Sequence, residues 1–154
     1  IQRGVAHAQL HEEAIELREA GIDAPILILG AIVEDEDELV VANDIAVCAH
    51  SMSRIRQLER EARRQGRKCR VHIMVDTGMG RLGPFADKAI ELAQTAVDSE
   101  WLTLEGVATH FSSSTAERAG HAATSASLRS AGAFTIANTP LRFAGAIVRS
   151  VAAG

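Results

Sequence analysis

Apolar and polar residues follow one another along the chain in a pattern that predicts alternating strands and helices. Apolar runs predict strands at residues 26–29, 45–49, 71–75 and 102–109, with weaker strands at 4–6, 134–137 and 146–148. Periodic segments predict helices at residues 9–20, 34–42, 52–66 and 85–97, and a loop with a weaker helix at 112–132. This repeated strand–helix alternation predicts an α/β fold with a parallel sheet.

Polar side chains recur where the predicted strands end. His50, Asp76, His110 and Asn138 follow four of these strands, about one strand–helix unit apart. In a (β/α)8 TIM barrel, active sites are built at this edge of the sheet. A complete barrel needs roughly 250 residues, whereas this chain has 154. We therefore expect one domain over residues 1–154, a partial barrel truncated at both ends, and a longer parent protein.

Composition and net charge argue against some classes of binding partner. The chain is 47% hydrophobic and carries a formal net charge of −4, which argues against a nucleic-acid or anionic-membrane surface. The one basic cluster, residues 60–70, lies at a predicted helix end, where the helix dipole favours cations. No apolar run approaches the length of a membrane span. Cys48 and Cys69 lack metal-ligand spacing, so we expect buried, reduced thiols in a cytoplasmic protein.

No metal site is expected from the sequence. His7, His11 and His72 have no partners at the spacing of a metal site. The acidic residues 34–38 are interpreted as a solvated helix start, because no EF-hand glycine spacing follows them.

The stretch VHIMVDTGMGRLG, residues 71–83, organises the rest of the chain. Its first half predicts a buried strand, and its second half is a tight loop containing Gly78, Gly80 and Gly83. Glycine allows a backbone to approach a ligand closely or to adopt positive φ. Arg81 adds a planar cationic group suited to a phosphate, a carboxylate or a phenolate oxygen.

The same loop matches the dinucleotide pattern G-x-G-x-x-G, but its context does not. Three strand–helix steps precede it, whereas the dinucleotide fingerprint occupies the first strand–helix turn. Pro84 follows the third glycine, so the helix starts after the loop. The carboxylate at the expected distance, Glu105, lies inside a predicted strand. We therefore reject a dinucleotide site.

The string VDTGMGRLG resembles the signature of the alanine racemases, which are pyridoxal 5′-phosphate (PLP) enzymes of fold type III. The strings EEAIELREAGIDAPILILG, LEGVATHF and IANTPLR are similar to neighbouring segments of that family. The resemblance implies a TIM barrel, PLP as cofactor, and racemisation of L-alanine to D-alanine for the cell wall. It also implies a homodimer in the full-length protein. Another fold-type III amino-acid racemase, or a non-catalytic barrel relic, remains an alternative.

The resemblance also implies roles for individual residues. Arg81 matches the arginine that hydrogen-bonds the phenolic oxygen of PLP, and His110 matches the histidine beneath the cofactor ring. Asn138 and Thr139 match an Asn-Ser pair that helps to bind the phosphate. Arg149, in the string VRSVAAG, matches the arginine that faces the pyridine nitrogen, although its spacing from Asn138 is shorter than in the family.

Departures from the family limit what this chain can do by itself. The family mechanism needs a lysine that holds PLP as a Schiff base, and Lys68 and Lys88 are both misplaced for that role. The second base is a tyrosine from a carboxyl-terminal β domain, and this chain has no tyrosine. Met74 stands where many members carry a carbamylated lysine that braces the arginine, and we expect Asp76 to act as the substitute brace. We expect no catalytic residue in this chain and no racemase activity from it alone.

Overall fold

Strands and helices alternate through the computed structural model, which describes residues 6–8, 10–76 and 80–109. The strands are β1 (Ala6–Ala8), β2 (Ile26–Ile28), β3 (Ala46–Ala49), β4 (Cys69–Val75) and β5 (Leu102–Thr109). The α-helices are α1 (His11–Glu19), α2 (Asp37–Ala42), α3 (Met52–Gln65) and α4 (Ala86–Asp98). Each strand pairs in parallel with the next one along the chain, so the sheet order is β1-β2-β3-β4-β5.

The sheet is covered by helices on one side, and each of its two faces carries a cluster of buried apolar residues. One large core lies between the helices and residues such as Ile26, Val47 and Ile73, which are fully buried. A smaller cluster occupies the other face, here called the inner face, and consists of Leu27, Ala46, Cys48, Met74 and Ala108. Parallel strands in chain order, with a helix after each of the first four, form part of a (β/α)8 barrel. The predicted fold class is confirmed.

Most element boundaries agree with the sequence pattern to within two residues. Ser51 caps α3 by accepting a hydrogen bond from the Arg54 backbone N–H at 3.2 Å, and Gly66 ends that helix with a φ of 65°. The predicted helix at 34–42 instead begins with a 3-10 turn, Glu34–Glu36, before α2. The segments predicted at 112–132, 134–137 and 146–148 lie outside the described residues.

One acidic residue at the start of α2 is buried, so the prediction of a fully solvated helix start is wrong for it. Asp37 is 2% exposed and lies against Arg54 of α3, which is 3% exposed. The Nη1 group of Arg54 donates to Oδ2 of Asp37 at 3.1 Å, and Nη2 donates to Oδ1. A charge taken out of water needs such a partner, because desolvation costs several kcal/mol per ion. This pair joins α2 to α3.

The basic cluster at residues 60–70 meets acidic partners from neighbouring elements. Arg60 pairs with Glu34 at 2.8 Å and Arg64 pairs with Glu38 at 3.1 Å, both at the exposed surface. These pairs lie along the contact between α2 and α3. The arginines therefore complement the acidic start of α2.

Both cysteines are buried, as the sequence predicts. Cys48 and Cys69 are free thiols, and burial raises the pKa of each to about 12. Such thiols are inert packing groups at neutral pH. No helix in the described part of the chain is both long and apolar enough to cross a membrane.

Breaking the buried pair of Arg54 and Asp37 should destabilise the protein strongly. We expect Arg54→Met to lower the free energy of unfolding by about 3–5 kcal/mol, because it leaves an unpaired buried carboxylate. The double variant Arg54→Met/Asp37→Leu should recover most of that loss. Urea unfolding followed by circular dichroism measures both. Equal losses in the single and double variants would contradict this account of the pair.

Candidate functional site

The loop after β4 is closed by hydrogen bonds at its two ends. Asp76 directly follows β4, and its backbone N–H donates to the carbonyl oxygen of Pro84 at 2.9 Å. The Asp76 carboxylate accepts a hydrogen bond from the Gly80 N–H at 3.1 Å. The loop therefore leaves the sheet and returns to it within nine residues, 76–84, at the edge where the carboxyl ends of the strands lie. We call this edge the carboxyl edge. Residues 77–79 lie outside the described part.

Gly83 anchors the end of this loop to the backbone of β4. Its φ is +98°, and a Cβ at this position would lie 2.6 Å from the carbonyl oxygen of Met74 and 2.8 Å from its carbonyl carbon. Gly80 also has a positive φ, +69°, but a Cβ there would meet nothing within 4 Å. Leu82 packs against the inner-face cluster that contains Met74. One glycine thus fixes the loop on the strand, and the other lies beside open space.

Arg81 lies between these two glycines and is exposed. Its role as a cofactor ligand at the carboxyl edge stays a prediction. Bracing of Arg81 by Asp76 stays a prediction, whereas the contact of Asp76 with Gly80 shows that it shapes the loop. The other predicted cofactor ligands lie outside the described residues: His110, Asn138, Thr139 and Arg149.

The end of β5 is tied to the end of β4. Thr109 is paired with Val75 in the register of the two strands, and its hydroxyl donates to the Val75 carbonyl oxygen at 2.7 Å. The chain therefore leaves β5 level with the point where the glycine loop begins. His110 lies outside the described residues, so a site shared by Arg81 and His110 stays a prediction, with which this pairing is consistent.

His50 follows β3 at the same carboxyl edge. The register pairs Ala49 with Ile73, so His50 comes one residue beyond the last pair. Its Nδ1 atom is buried and has no hydrogen-bond partner within the described residues. Burial and the nearby charge of Arg54 lower the pKa of His50, although the backbone carbonyl of Cys48 opposes the shift. The imidazole is therefore neutral at physiological pH.

A charged network lies deeper on the inner face, between β4 and β5. Arg70 binds Glu105 through two hydrogen bonds, Nε to Oε1 at 2.7 Å and Nη2 to Oε2 at 3.2 Å. His72 Nε2 lies 3.5 Å from Glu105 Oε2, and Arg70 Nη1 lies 3.1 Å from Asp44 Oδ2. Burial raises the pKa of Glu105, but hydrogen bonds from His72 and Arg70 outweigh it and lower the pKa to about 2.

Sequence reasoning placed Glu105 inside a strand, which is confirmed, but it missed this network. The pairing of β4 with β5 shifts register between Val71 and His72, and the shift lies opposite Glu105. Such a bulge re-aims a side chain. The available signal was a single charged residue, Glu105, inside β5, together with Arg70 and His72 at alternate positions of the partner strand β4.

Neither lysine lies within the glycine loop. Lys68 directly precedes β4, so it lies at the opposite edge of the sheet. Lys88 lies in α4, where its side chain is 72% exposed and pairs with Glu91 at 2.8 Å. Both placements agree with the sequence prediction.

Comparisons with known proteins point to one family. A profile described as "Alanine racemase, N-terminal domain" matches residues 2–150. The chain is 42% identical over 100 residues to an alanine racemase of Streptococcus pyogenes, covering 65% of this chain. It is 39% identical over 100 residues to an alanine racemase of Methanococcus maripaludis, covering 64% of this chain.

A solved structure shows the same fold. The alanine racemase of Clostridium difficile 630, determined in complex with cycloserine, superposes with a TM-score of 0.74 and 27% sequence identity. That superposition covers 84% of this chain and 38% of the other. The chain spans only 27% of the length of the curated relatives described above.

The two loop glycines should respond differently to alanine substitution. Gly83→Ala combines a left-handed backbone with a clash against the Met74 carbonyl, so we expect a loss of more than about 2 kcal/mol in the free energy of unfolding. The new methyl group of Gly80→Ala meets open space, so this variant should lose only about 1 kcal/mol in the free energy of unfolding, the cost of a left-handed backbone at a residue with a side chain. Urea unfolding of both variants measures the difference, and equal losses would contradict the close approach of Gly83 to β4.

The ion pairs of Glu105 should make the free energy of unfolding depend on pH in the acidic range. The folded-state pKa, about 2, lies below the usual value of 4.5, so the stabilisation is fully present above pH 4.5 and is lost as the pH falls toward 2. Glu105→Gln should be less stable than the wild type at pH 6, and the difference should disappear near pH 2. Glu91→Gln, at the exposed pair on α4, is the matched control. A wild-type advantage that persists unchanged at pH 2 would contradict the assignment.

Proposed function

Because the chain belongs to the alanine racemase N-terminal domain family, a family of isomerases, we propose that the complete protein is a PLP-dependent alanine racemase. It would interconvert L- and D-alanine in the cytoplasm and supply D-alanine to the cell wall. The observation that carries the proposal is the family's arginine-bearing glycine loop at the carboxyl edge of a partial barrel. In this proposal residues 1–154 are one domain, and the remainder of the protein supplies a carboxyl-terminal β domain and a homodimer interface.

The described residues fit the cofactor. PLP presents an anionic phenolic oxygen, and a guanidinium group is a strong donor to such an oxygen. Arg81 is exposed in a loop whose neighbour Gly80 borders open space. The loop itself is held by Gly83 and Asp76, so the arginine is presented from a fixed backbone. These features support a bound phenolate at this edge.

Each cofactor-binding residue has a proposed task. Arg81 would donate to the phenolic oxygen and keep it anionic, and His110 would support the ring from below. Asn138 and Thr139 would bind the phosphate, and Arg149 would face the pyridine nitrogen. When bound, PLP stores the electron pair that remains on Cα after proton removal. The two proton-transferring bases, a lysine and a tyrosine, would come from segments outside this chain.

The complete open reading frame provides the direct test. The purified protein, incubated with PLP, should show a borohydride-trappable Schiff base on a lysine and should racemise L-alanine in a polarimetric assay. This 154-residue chain alone should show neither, because Lys68 and Lys88 are misplaced. Racemisation of a different amino acid, with alanine inert, would favour a sister racemase. No Schiff base in the complete protein would indicate a barrel relic and refute the proposal.

A further inference from the structure

The side chains of β5 change faces halfway along the strand. Leu102 and Leu104 belong to the large core between the helices and the sheet, as expected when every second residue lies on one face. Continued alternation would put Ala108 on that face as well. Instead, Val107 packs against the large core and Ala108 belongs to the inner-face cluster. The alternation of β5 is therefore inverted after Leu104.

One extra residue in β5 accounts for this inversion. Val71 of β4 pairs with Leu104, and the next residue of β4, His72, pairs with Gly106. Glu105 is left between these two pairs, so β5 gains one residue relative to β4. A shift of one residue moves the side chains that follow to the opposite face of a sheet. The register shift therefore decides which residues in the carboxyl half of β5 face inward.

Charged side chains hold the extra residue. A bulge interrupts the hydrogen bonds between two strands, so it needs compensating contacts. Glu105 accepts hydrogen bonds from Arg70 at 2.7 and 3.2 Å, and Nε2 of His72 lies 3.5 Å from its carboxylate. All three side chains are partly buried, with exposed fractions between 17% and 24%. These contacts are therefore less screened by water than the surface pairs of α2 and α3.

Gly106 leaves room for the His72 ring at the bulge. A Cβ at Gly106 would lie 3.0 Å from Nδ1 of His72 and 3.2 Å from its Cε1. Both distances are shorter than ordinary van der Waals contact, so a side chain at this position would displace the ring. The glycine that follows Glu105 thus allows the histidine to lie beside the glutamate.

We propose that Glu105 and Gly106 are positioning residues of the candidate site, which hold the register shift in β5. The shift turns Ala108 into the inner-face cluster, against which Leu82 of the glycine loop packs. By the same alternation, we expect residue 110 to be the next inward position. His110 lies outside the described residues, and its place beside the cofactor rests on the proposed function. The register shift itself does not.

The first experiment tests the register without cofactor or activity. In methyl-labelled complete protein, we expect a nuclear Overhauser contact between the methyl groups of Ala108 and Met74, and none between those of Val107 and Met74. Glu105→Leu should weaken the first contact and produce the second, because an unbulged strand pairs one residue out of step. Gly106→Ala disturbs the same bulge and should act in the same direction. A wild-type contact between Val107 and Met74, or wild-type contacts in both variants, would overturn the proposal.

Deletion of Gly106 provides a rescue. Removing one residue from β5 allows one-to-one pairing with Ala108 still opposite Met74, so the register no longer needs the ion pair. In the complete protein loaded with PLP, we expect Glu105→Leu to lower kcat for alanine by roughly 10- to 100-fold, since a 1 Å misplacement can cause such a loss. The deletion should restore most of that activity to the Glu105→Leu protein. An unchanged kcat in Glu105→Leu, or a deletion that deepens the loss, would overturn the proposal.

Glu91→Leu is the matched control, because Glu91 forms an exposed pair with Lys88 on α4 at 2.8 Å. It should keep the wild-type methyl contacts and kcat. If Glu105→Leu matches Glu91→Leu in both readouts, the proposal is wrong. A wild-type protein that forms no Schiff base and racemises nothing would refute the proposed function, whereas the methyl contacts would still decide whether Glu105 and Gly106 hold the register.

Discussion

The candidate site depends on the close approach of Gly83 to the backbone of β4. A side chain at Gly83 would lie 2.6 Å from the Met74 carbonyl oxygen, so only glycine lets the loop rest on the strand at this point. Asp76 then closes the loop through Pro84 and Gly80. Arg81 is held between these contacts, and its backbone position follows from them. A flexible loop would leave the same guanidinium group without a defined direction.

Two ion-pair groups stabilise the scaffold on opposite sides of the sheet. Asp37 and Arg54 join α2 to α3 on the helical side, close to the residue that follows β3. Arg70 and Glu105 join β4 to β5 on the inner face, at the point where the register shifts. Both groups lie outside the loop, yet they fix the helices and strands whose ends carry it. Arg81 in the loop is exposed, whereas the two ion-pair groups that hold the surrounding elements are buried or partly buried.

The fold was predictable because each strand and helix has its own local pattern. The apolar runs at β2 and β3, the capped helix α3 and the glycine after it are all signals within a few residues. The position of Arg81 and the misplacement of Lys68 and Lys88 follow from the same local order. A resemblance carried by the glycine-loop string and by three neighbouring segments added the family and the expected cofactor.

The interactions that were missed join residues far apart in the sequence. Asp37 lies in an acidic run that is typical of a solvated helix start, and only its partner 17 residues away makes its burial possible. Glu105 pairs with Arg70 across 35 residues, and the register shift that aims it inward has no local pattern. The burial of His50 Nδ1, which has no hydrogen-bond partner among the described residues, likewise depends on what surrounds it. Pairings of this kind follow from the folded topology.

The account's central claim is that Arg81 faces the phenolic oxygen of bound PLP at the carboxyl edge of this sheet. A crystal structure of the complete protein with PLP tests it most directly. We expect the Arg81 guanidinium nitrogens within about 3 Å of that oxygen, with the cofactor ring beside the ends of β4 and β5. A cofactor bound elsewhere, or Arg81 turned to solvent while the site is filled, would contradict the account.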